Sequence, residues 1–376
     1  MNIGIDLLWV KHKKVGGIES YIRNLLKGFL LYAPNDVKFV LFCAVDNHHT
    51  FDEFLVNGKM KKVICNIQST KVAKRIIWEN VNLNKFALRN NIDLMFIPVY
   101  SKPLIRNRGI KYVITIHDLQ ALHYPEYFSK IKNMWLKFSW KQCARTADKI
   151  IAISNFVKKD IEEQLGIKSS KISVIYNPIV KSQSTVNFDY LANKYGIESK
   201  KYFYTVSSLL PHKNLPVLLQ MISNIKKKNL DIPSRLVISG VGGKSEDEIK
   251  RLIKDLDISD NIILTGFVSD EERDELYKNS KVFLFPSIFE GFGMPPIEAL
   301  MLGVPVVTTK ETSIPEVTQN KAIYVNDPFS VDEWISKVSK ATTVEAKPIM
   351  FDCYTLEKVT EAYIDKFIEV LNAKRW

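Results

Sequence analysis

Short apolar runs alternate with amphipathic stretches through most of the chain. The runs of the first half are NIGIDLLWV, VKFVLFCAV, DLMFIPV, KYVITIHD, KIIAISN and KISVIYN. Between the first two runs, apolar side chains recur at the spacing of a helix face, namely Ile22, Leu25, Leu26, Phe29 and Leu30. Strand followed by helix, repeated, predicts a mostly parallel sheet with helices on both faces.

The pattern loosens after Asn177-Pro178 and restarts near residue 200 with YFYTVSSLL, RLVISGVGG, NIILTGFV, KVFLFPS and VPVVTT. A chain of 376 residues, 46% of them hydrophobic, has room for two domains of roughly 150 to 200 residues each. We therefore predict an α/β fold of two Rossmann-like domains facing across a cleft, at residues 1–180 and 200–350. Residues 351–376 are predicted to form a C-terminal helix that packs back on the N-terminal domain. Ligands of such sheets bind beyond the carboxyl ends of the strands, so the chemistry is expected in the loops that follow them.

Neither a secretory signal nor a membrane span is predicted. In MNIGIDLLWVKHKK the charges follow the apolar run, which is the reverse of a signal peptide. No apolar segment approaches the roughly 18 to 20 residues of a membrane span. The expected location is the cytoplasm, with a peripheral position at the inner face of the cell membrane left open. The four cysteines form no C-x-x-C pair, so neither a disulfide framework nor a zinc site is predicted.

The positive charge of the chain, +12 overall, belongs to its first half. Residues 1–180 hold 28 Lys and Arg against 14 Asp and Glu, a net of +14, and residues 181–376 carry a net of −2. Such asymmetry is typical of a face that meets an anionic partner, whether nucleic acid, phospholipid or a phosphorylated substrate. A solubilising excess of charge spread around the domain explains the count equally well.

Three loops contain groups suited to an anionic ligand. Gly16-Gly17 precedes an amphipathic helix, where exposed N–H groups and the helix dipole favour an anion, although glycines also serve tight turns. Lys213, in SSLLPHKNL, is a natural point charge for a diphosphate and equally an ordinary solvated lysine. His117 ends the run KYVITIHD, where it either reaches a ligand or caps a loop.

The stretch FEGFGMPPIEALMLG sets two glutamates, Glu290 and Glu298, eight positions apart. Its two prolines suit the start of a helix over 297–302, which places Glu298 in the first turn, where a carboxylate complements the helix dipole. Glu290 has no comparable structural role, because a carboxylate among aromatic and glycine residues is costly to bury unless it meets hydrogen-bond donors. Sugar hydroxyls are donors of that kind.

The linked set of motifs resembles the retaining glycosyltransferases of family 4, which have the two-domain GT-B architecture. The likeness extends over nearly the whole chain and includes GGIESYIRNLL, ITIHDLQALHYPEYFS, IIAISNFVKKDI, LLPHKNL, LTGFVSDEERDELYKNSKVFLFPSIFEGFGMPPIEALMLGVPVV and SIPEV. The two glutamates are similar to that family's E-x7-E motif. The H-D-L, P-x-K-N and S-x-P-E-V forms most resemble the mannosyltransferase branch that builds bacterial surface polysaccharides.

The resemblance implies a role for individual residues. Glu290 would hold hydroxyls of the donor sugar, and Glu298 would take the ribose hydroxyls of the nucleotide. Lys213 would pair with the diphosphate, Gly17 would offer it an amide, and His117 would contact the transferring sugar. The implied catalytic residues are Glu290, His117 and Lys213, and the implied donor-binding residues are Gly16, Gly17, Ser208, His212, Lys213, Gly266, Phe267, Val268, Glu290, Gly291, Phe292, Gly293 and Glu298.

Two positions bear on the charge chemistry of that site. The family commonly has an arginine where this chain has Ser208, which leaves the diphosphate charge to His212 or to basic residues of the first domain. Asp255-Leu256-Asp257 matches the D-x-D signature of metal-dependent sugar-nucleotide enzymes, but it follows a helical stretch rather than a strand. No metal and no other cofactor are therefore expected.

The implied reaction transfers a hexose, with mannose and GDP-mannose favoured, to a hydroxyl of a saccharide acceptor. The acceptor is expected to be linked to polyprenyl diphosphate at the acidic inner membrane surface. Retention by same-face attack is favoured, because no residue pair resembles a double-displacement nucleophile and its acid. The alternatives are a UDP or dTDP donor carrying glucose, N-acetylglucosamine or rhamnose, a sugar-nucleotide epimerase, and a non-catalytic partner subunit. A nucleic-acid partner is not expected, since it would leave the glutamates without a role.

Overall fold

Two parallel sheets organise the chain in a computed structural model that describes residues 1–11, 16–100, 102–104, 107, 109–180, 186–240 and 246–373. The sheets belong to separate units, Met1–Val180 with Asp352–Trp376, and Lys181–Phe351. The predicted α/β class with two Rossmann-like domains is confirmed.

The first unit contains a seven-stranded sheet in the order β3-β2-β1-β4-β5-β6-β7, in which the strand pairs are parallel. The order reverses at β1, as in a doubly wound sheet whose ligands bind at the strand ends. The strands are β1 Asn2–Asp6, β2 Lys38–Ala44, β3 Met60–Cys65, β4 Leu94–Ile97, β5 Lys111–Ile116, β6 Lys149–Ala152 and β7 Ile172–Val174. The helices before the linker are α1 Gly17–Tyr32, α2 Val72–Trp78, α3 Asn84–Arg89, α4 Gln120–His123, α5 Lys130–Thr146 and α6 Asn155–Leu165.

The second unit repeats the design with a six-stranded parallel sheet in the order β10-β9-β8-β11-β12-β13. Its strands are β8 Phe203–Val206, β9 Leu236–Ser239, β10 Ile262–Gly266, β11 Val282–Phe285, β12 Val306–Thr309 and β13 Ile323–Val325. Its helices are α7 Phe188–Tyr195, α8 Leu215–Lys227, α9 Glu246–Asp255, α10 Asp270–Asn279, α11 Met294–Met301, α12 Ile314–Val317 and α13 Val331–Thr342. Leu218, Ile222, Leu284 and Trp334 lie fully buried in its core.

The C-terminal helix, α14 (Leu356–Asn372), packs on the first unit rather than on the unit that precedes it in the chain. It contacts α1 at Gly28, where a Cβ would lie 2.5 Å from Oγ1 of Thr360 and 3.2 Å from the carbonyl oxygen of Leu356. Glycine therefore permits the close approach of the two helices. Nearby, the rings of Phe29 and Tyr363 meet edge to face with their centroids 6.0 Å apart.

Candidate active site

The predicted donor-binding residues of the second unit follow the carboxyl ends of three parallel strands. The loop after β8 contains Ser208, His212 and Lys213. The end of β10 and the loop after it contain Gly266, Phe267 and Val268, and the loop after β11 contains the segment from Glu290 to Gly293. Since β8 and β11 are neighbours and β9 joins β8 to β10, these loops share one edge of the sheet. That edge is where open α/β sheets bind ligands.

Lys213 and Glu290, which lie 77 positions apart, meet at this edge. Nζ of Lys213 donates to Oε1 of Glu290 at 2.5 Å, and the two side chains are 19% and 14% exposed. Nζ also lies 5.8 Å from the ring centroid of Phe285, the last residue of β11. The pairing supplies the part-buried carboxylate with a cationic donor, which offsets the cost of removing a charge from water.

Polar contacts fix the backbone on both sides of this pair. The carbonyl oxygen of His212 accepts from the amide of Ile288 at 2.9 Å, which ties the loop after β8 to the loop after β11. The amide of Glu290 donates to Oγ1 of Thr312 at 3.0 Å, and Oγ of Ser313 donates to the carbonyl of Glu290 at 2.9 Å. Neither Thr312 nor Ser313 was predicted as a site residue, although Ser313 opens the quoted motif SIPEV.

Glu298 is held by two residues of α10 that the sequence analysis also left without a role. The hydroxyl of Tyr277 donates to Oε2 of Glu298 at 3.2 Å, and Nε of Arg273 lies 3.5 Å from the same oxygen. Arg273 and Tyr277 are four positions apart and so share a helix face. The Glu298 carboxylate raises the pKa of the Arg273 guanidinium, and burial followed by Glu298 raises that of Tyr277.

The prediction that Glu298 lies in the first turn of its helix is wrong. The helix α11 begins at Met294, three residues before the predicted start, and its first turn contains no acidic residue. Gly293 precedes it with φ +85°, a left-handed conformation that glycine adopts readily. The two prolines then fall inside the first turn, where the missing N–H groups would have no intrahelical partner. Glu298 is therefore placed by Arg273 and Tyr277 rather than by the helix dipole.

His212 supplies no positive charge in this structure at neutral pH. Its side chain is buried, and burial, followed by the charge of Lys213, lowers its pKa to about 4. Ser208 is half-buried and uncharged. Of the two sources of positive charge expected in place of the absent arginine, His212 therefore contributes only its backbone contact, and the basic residues of the first domain stay a prediction.

The glycine and aromatic loop after β10 has a different character. Gly266 has φ +67°, and its carbonyl accepts from the amide of Gly240 at 2.9 Å. Phe267 is 64% exposed, whereas Val268 is buried. The exposed aromatic ring at a strand end is a surface on which a flat ligand can stack.

The D-x-D match lies away from these loops. Asp255 ends α9, and Asp257 follows with φ +55° and a side chain that is 96% exposed and paired with Lys226 at 3.1 Å. The position is a solvated helix terminus, as the sequence indicated.

In the first unit, the glycine turn and His117 both lie next to α1. Gly16 has φ +60° and caps the helix, and its carbonyl accepts from the amide of Glu19 at 3.0 Å. Both Gly16 and Gly17 are exposed, and among the described residues no atom lies within 4 Å of a Cβ added at either position. Their setting at the amino end of a 16-residue helix is suited to an anion.

His117 directly follows β5 and is buried. Its Nε2 lies 2.8 Å from the carbonyl oxygen of Pro98, to which it can only donate, and its ring meets Tyr21 of α1 edge to face at 4.8 Å. Burial lowers the pKa of His117 to about 4. The ring is therefore neutral at pH 7, with its proton on Nε2 and an acceptor lone pair on Nδ1. The hydroxyl of Tyr21 is in turn hydrogen-bonded to that of Tyr363 of α14 at 2.6 Å, which helps to hold the Tyr21 ring against His117.

A buried carboxyl at the end of β1 also escaped the sequence analysis. Asp6 is fully buried, and its Oδ1 accepts from the amide of Leu8 at 3.0 Å. Burial raises its pKa to about 6, against the lowering effects of the Leu8 bond and of Arg75. The sequence pattern that could have indicated this carboxyl is an acidic residue at the end of an otherwise largely apolar strand.

Two Rossmann-like units, each built on a parallel sheet, have the fold of GT-B glycosyltransferases. The chain belongs to the glycosyltransferases, since residues 15–183 match the family described as Glycosyltransferase Family 4 and residues 188–352 the family described as Glycosyl transferases group 1. The predicted family is confirmed.

Two relatives and one solved structure illustrate the similarity. The chain is 30% identical over 283 residues to the O-antigen chain mannosyltransferase RfbU of Salmonella typhimurium, covering 73% of each chain. It is 29% identical over 231 residues to the O-antigen chain mannosyltransferase B of Escherichia coli, and this similar region covers 58% of each chain. The crystal structure of Anabaena HepE in complex with UDP and glucose is similar with a TM-score of 0.72, at 16% identity over 98% of this chain and 100% of that one.

Proposed function

We propose that this glycosyltransferase moves mannose from GDP-mannose to a hydroxyl of a saccharide acceptor linked to polyprenyl diphosphate, with retention of configuration and without a metal. The product would be part of a bacterial surface polysaccharide. The observation that carries the proposal is the Lys213–Glu290 pair at the carboxyl edge of the second sheet. The choice of mannose is supported by the relatives, which are named O-antigen mannosyltransferases.

The pair fits the two ends of the bond that breaks. Glu290 is an acceptor for hydroxyls of the donor sugar, and Lys213 is a cation for the diphosphate that leaves. When the donor enters, the lysine exchanges its carboxylate partner for phosphate oxygens, and the carboxylate turns to the sugar. Positioned charge of this kind stabilises a leaving group without taking part in bond formation.

In the proposed step, the acceptor oxygen attacks the anomeric carbon from the face that the phosphate leaves. The bond from the anomeric carbon to the phosphate oxygen breaks, a bond to the acceptor oxygen forms, and the acceptor proton passes to the departing phosphate. No protein nucleophile is required. The neutral His117, with an acceptor at Nδ1, is suited to hold a sugar hydroxyl rather than to donate a proton.

Thermal unfolding with a panel of nucleotides tests the donor. A ligand that binds only the native protein raises the unfolding midpoint, and the size of the effect grows with its concentration relative to its dissociation constant. We expect GDP and GDP-mannose to respond and UDP, ADP, dTDP and CMP not to. A response to UDP or dTDP alone would keep the class and overturn mannose, and no response to any nucleotide would favour a non-catalytic partner subunit.

A further inference from the structure

The outer face of α5 exposes an apolar stripe. Ile131, Met134, Trp135 and Phe138 are 80%, 73%, 44% and 58% exposed. Their spacing of three and four residues places them one above another on a single helix face. Isolated exposed apolar residues are ordinary on proteins, but a continuous stripe on one helix marks an interaction surface.

The opposite face of α5 is anchored in the unit. Trp140, Cys143 and Ala144 are buried, and the ring of Trp140 lies 4.5 Å from that of Tyr100. Sγ of Cys143 lies 3.5 Å from the carbonyl oxygen of Lys102. The exposed stripe is therefore a feature of a folded helix whose inward side is already satisfied.

Basic residues flank the stripe. The helix contains five of them, Lys130, Lys132, Lys137, Lys141 and Arg145, and no acidic residue occurs from 127 to 147. At 3.6 residues per turn, Lys132 falls on one side of the stripe and Lys130, Lys137 and Lys141 fall on the other. An apolar stripe with a row of lysines on one side and a single lysine on the other matches a helix that lies in the plane of a membrane interface.

A second helical segment of the same unit extends this surface. Ile77 and Val81 are each more than half exposed, and Lys74 and Lys85 lie one turn away along the segment on either side. This segment is joined to the region of α5 through residues 102–104, because the amide of Leu104 donates to Oδ1 of Asn80 at 2.8 Å. In the part of the chain that the structure describes, no helix is long and apolar enough to cross a bilayer.

We propose that α5 docks this protein on an anionic lipid surface, with Ile131, Met134, Trp135 and Phe138 inserted at the headgroup boundary and the flanking lysines on lipid phosphates. The inference depends on charge complementarity and on the exposed stripe, and not on the identity of the donor sugar. It accounts for part of the basic excess of residues 1–180. A second copy of this chain is a poorer occupant, since two such faces would bring the lysines against each other.

Co-sedimentation with vesicles tests the proposal. The vesicles consist of equal parts phosphatidylglycerol and phosphatidylcholine, or of phosphatidylcholine alone. We expect the native chain to bind the anionic vesicles, and the double variant Met134→Glu/Phe138→Glu to lose about tenfold or more of that affinity. The matched control is Phe329→Glu in the other unit, where the side chain is 62% exposed; it should bind like the native chain. Thermal unfolding of each variant shows whether it is folded.

A second readout requires no introduced charge. Lipids brominated near the headgroup should quench the fluorescence of the native chain more than that of Trp135→Phe. Equal quenching, equal binding by the double variant, or indifference of the native chain to anionic lipid would each overturn the proposal. So would a native dimer that the double variant separates, because the stripe would then be covered by a second copy. GDP binding by the vesicle-defective variant distinguishes this failure from failure of the proposed transferase activity.

Discussion

Nζ of Lys213 and Oε1 of Glu290 lie 2.5 Å apart and form a salt bridge. The motifs imply that Lys213 binds the diphosphate of the donor and that Glu290 binds its sugar, so these two residues pair with each other when no donor is bound. The pair places both charges at the strand ends and leaves no part-buried carboxylate without a cationic partner. In the proposed donor complex, Lys213 exchanges the Glu290 carboxylate for phosphate oxygens, and Glu290 exchanges the lysine for sugar hydroxyls. The two residues should therefore respond differently to substitution.

Glu290→Gln should abolish most transfer while nucleotide binding survives. The amide keeps the size of the side chain but loses the charge that orients the donor sugar, and we expect kcat to fall by about 100-fold or more. The dissociation constant for GDP should change by less than about threefold, because Lys213 remains available to the diphosphate. Initial rates and calorimetric binding check both statements. Loss of GDP binding instead would mean that Glu290 serves the nucleotide and not the sugar.

Lys213→Met should show the opposite pattern in binding. Removing the cation costs a charge-assisted contact of about 1.5–3 kcal/mol, which corresponds to a loss of roughly 10- to 150-fold in affinity for GDP. The variant also leaves Glu290 without its partner, so a lower unfolding midpoint is expected. Lys250→Met, a change of an exposed lysine on α9, is the control and should bind GDP normally. Equal affinities for the two variants would rule out a diphosphate role for Lys213.

Arg273→Leu should raise the KM for the donor by about tenfold with little change in kcat. Arg273 and Tyr277 hold the Glu298 carboxylate, and a carboxylate that grips ribose hydroxyls must be oriented before it binds. The ratio of KM to kcat effects is informative, because a merely structural defect would lower the active fraction and with it kcat. Arg251→Leu on the exposed side of α9 is the matched change. A fall in kcat at constant KM would contradict a role of Arg273 in orienting Glu298 for the donor.

The sequence was a good guide to the sheets and a partial guide to the site. The alternating apolar runs predicted both parallel sheets except for the edge strands β3 and β13, and the loops after the strands were the right place to look for Lys213 and Glu290. The predicted start of α11, at residue 297, is three residues late, because prolines are tolerated throughout the first turn of a helix and do not mark its first residue. Arg273 was missed for a different reason: its partner, Glu298, lies 25 positions away and is reached only through tertiary packing.

Gly28→Leu should destabilise the first unit by loosening α14. A Cβ at this position would lie 3.2 Å from the backbone oxygen of Leu356, and a larger side chain cannot be accommodated without moving the helix. We expect a loss of about 1–3 kcal/mol in the free energy of unfolding. Lys27→Leu, a change at the exposed neighbour in the same helix, should have little effect. Hydrogen exchange of α14 amides measures the opening directly, and unchanged protection would contradict the close-contact role of Gly28.

His117→Gln should remove one source of acid sensitivity. The native imidazole has its pKa lowered to about 4 by burial, whereas an unfolded histidine titrates near 6.5. Between these values the unfolded chain binds a proton that the folded chain does not bind, so stability falls as the pH falls, by about 1.4 kcal/mol per pH unit.

Glutamine can still donate to the carbonyl of Pro98 but does not titrate. By about pH 5, the advantage of the native chain over the variant should have dropped by about 2 kcal/mol from its value at neutral pH. Urea denaturation across this range measures the difference in the free energy of unfolding between the native chain and the variant. Asp6, whose pKa is raised to about 6, has the opposite effect on stability, but it is present in both chains and so cancels in the difference. A difference that stays constant with pH would show that His117 is protonated as readily in the folded chain as in the unfolded one.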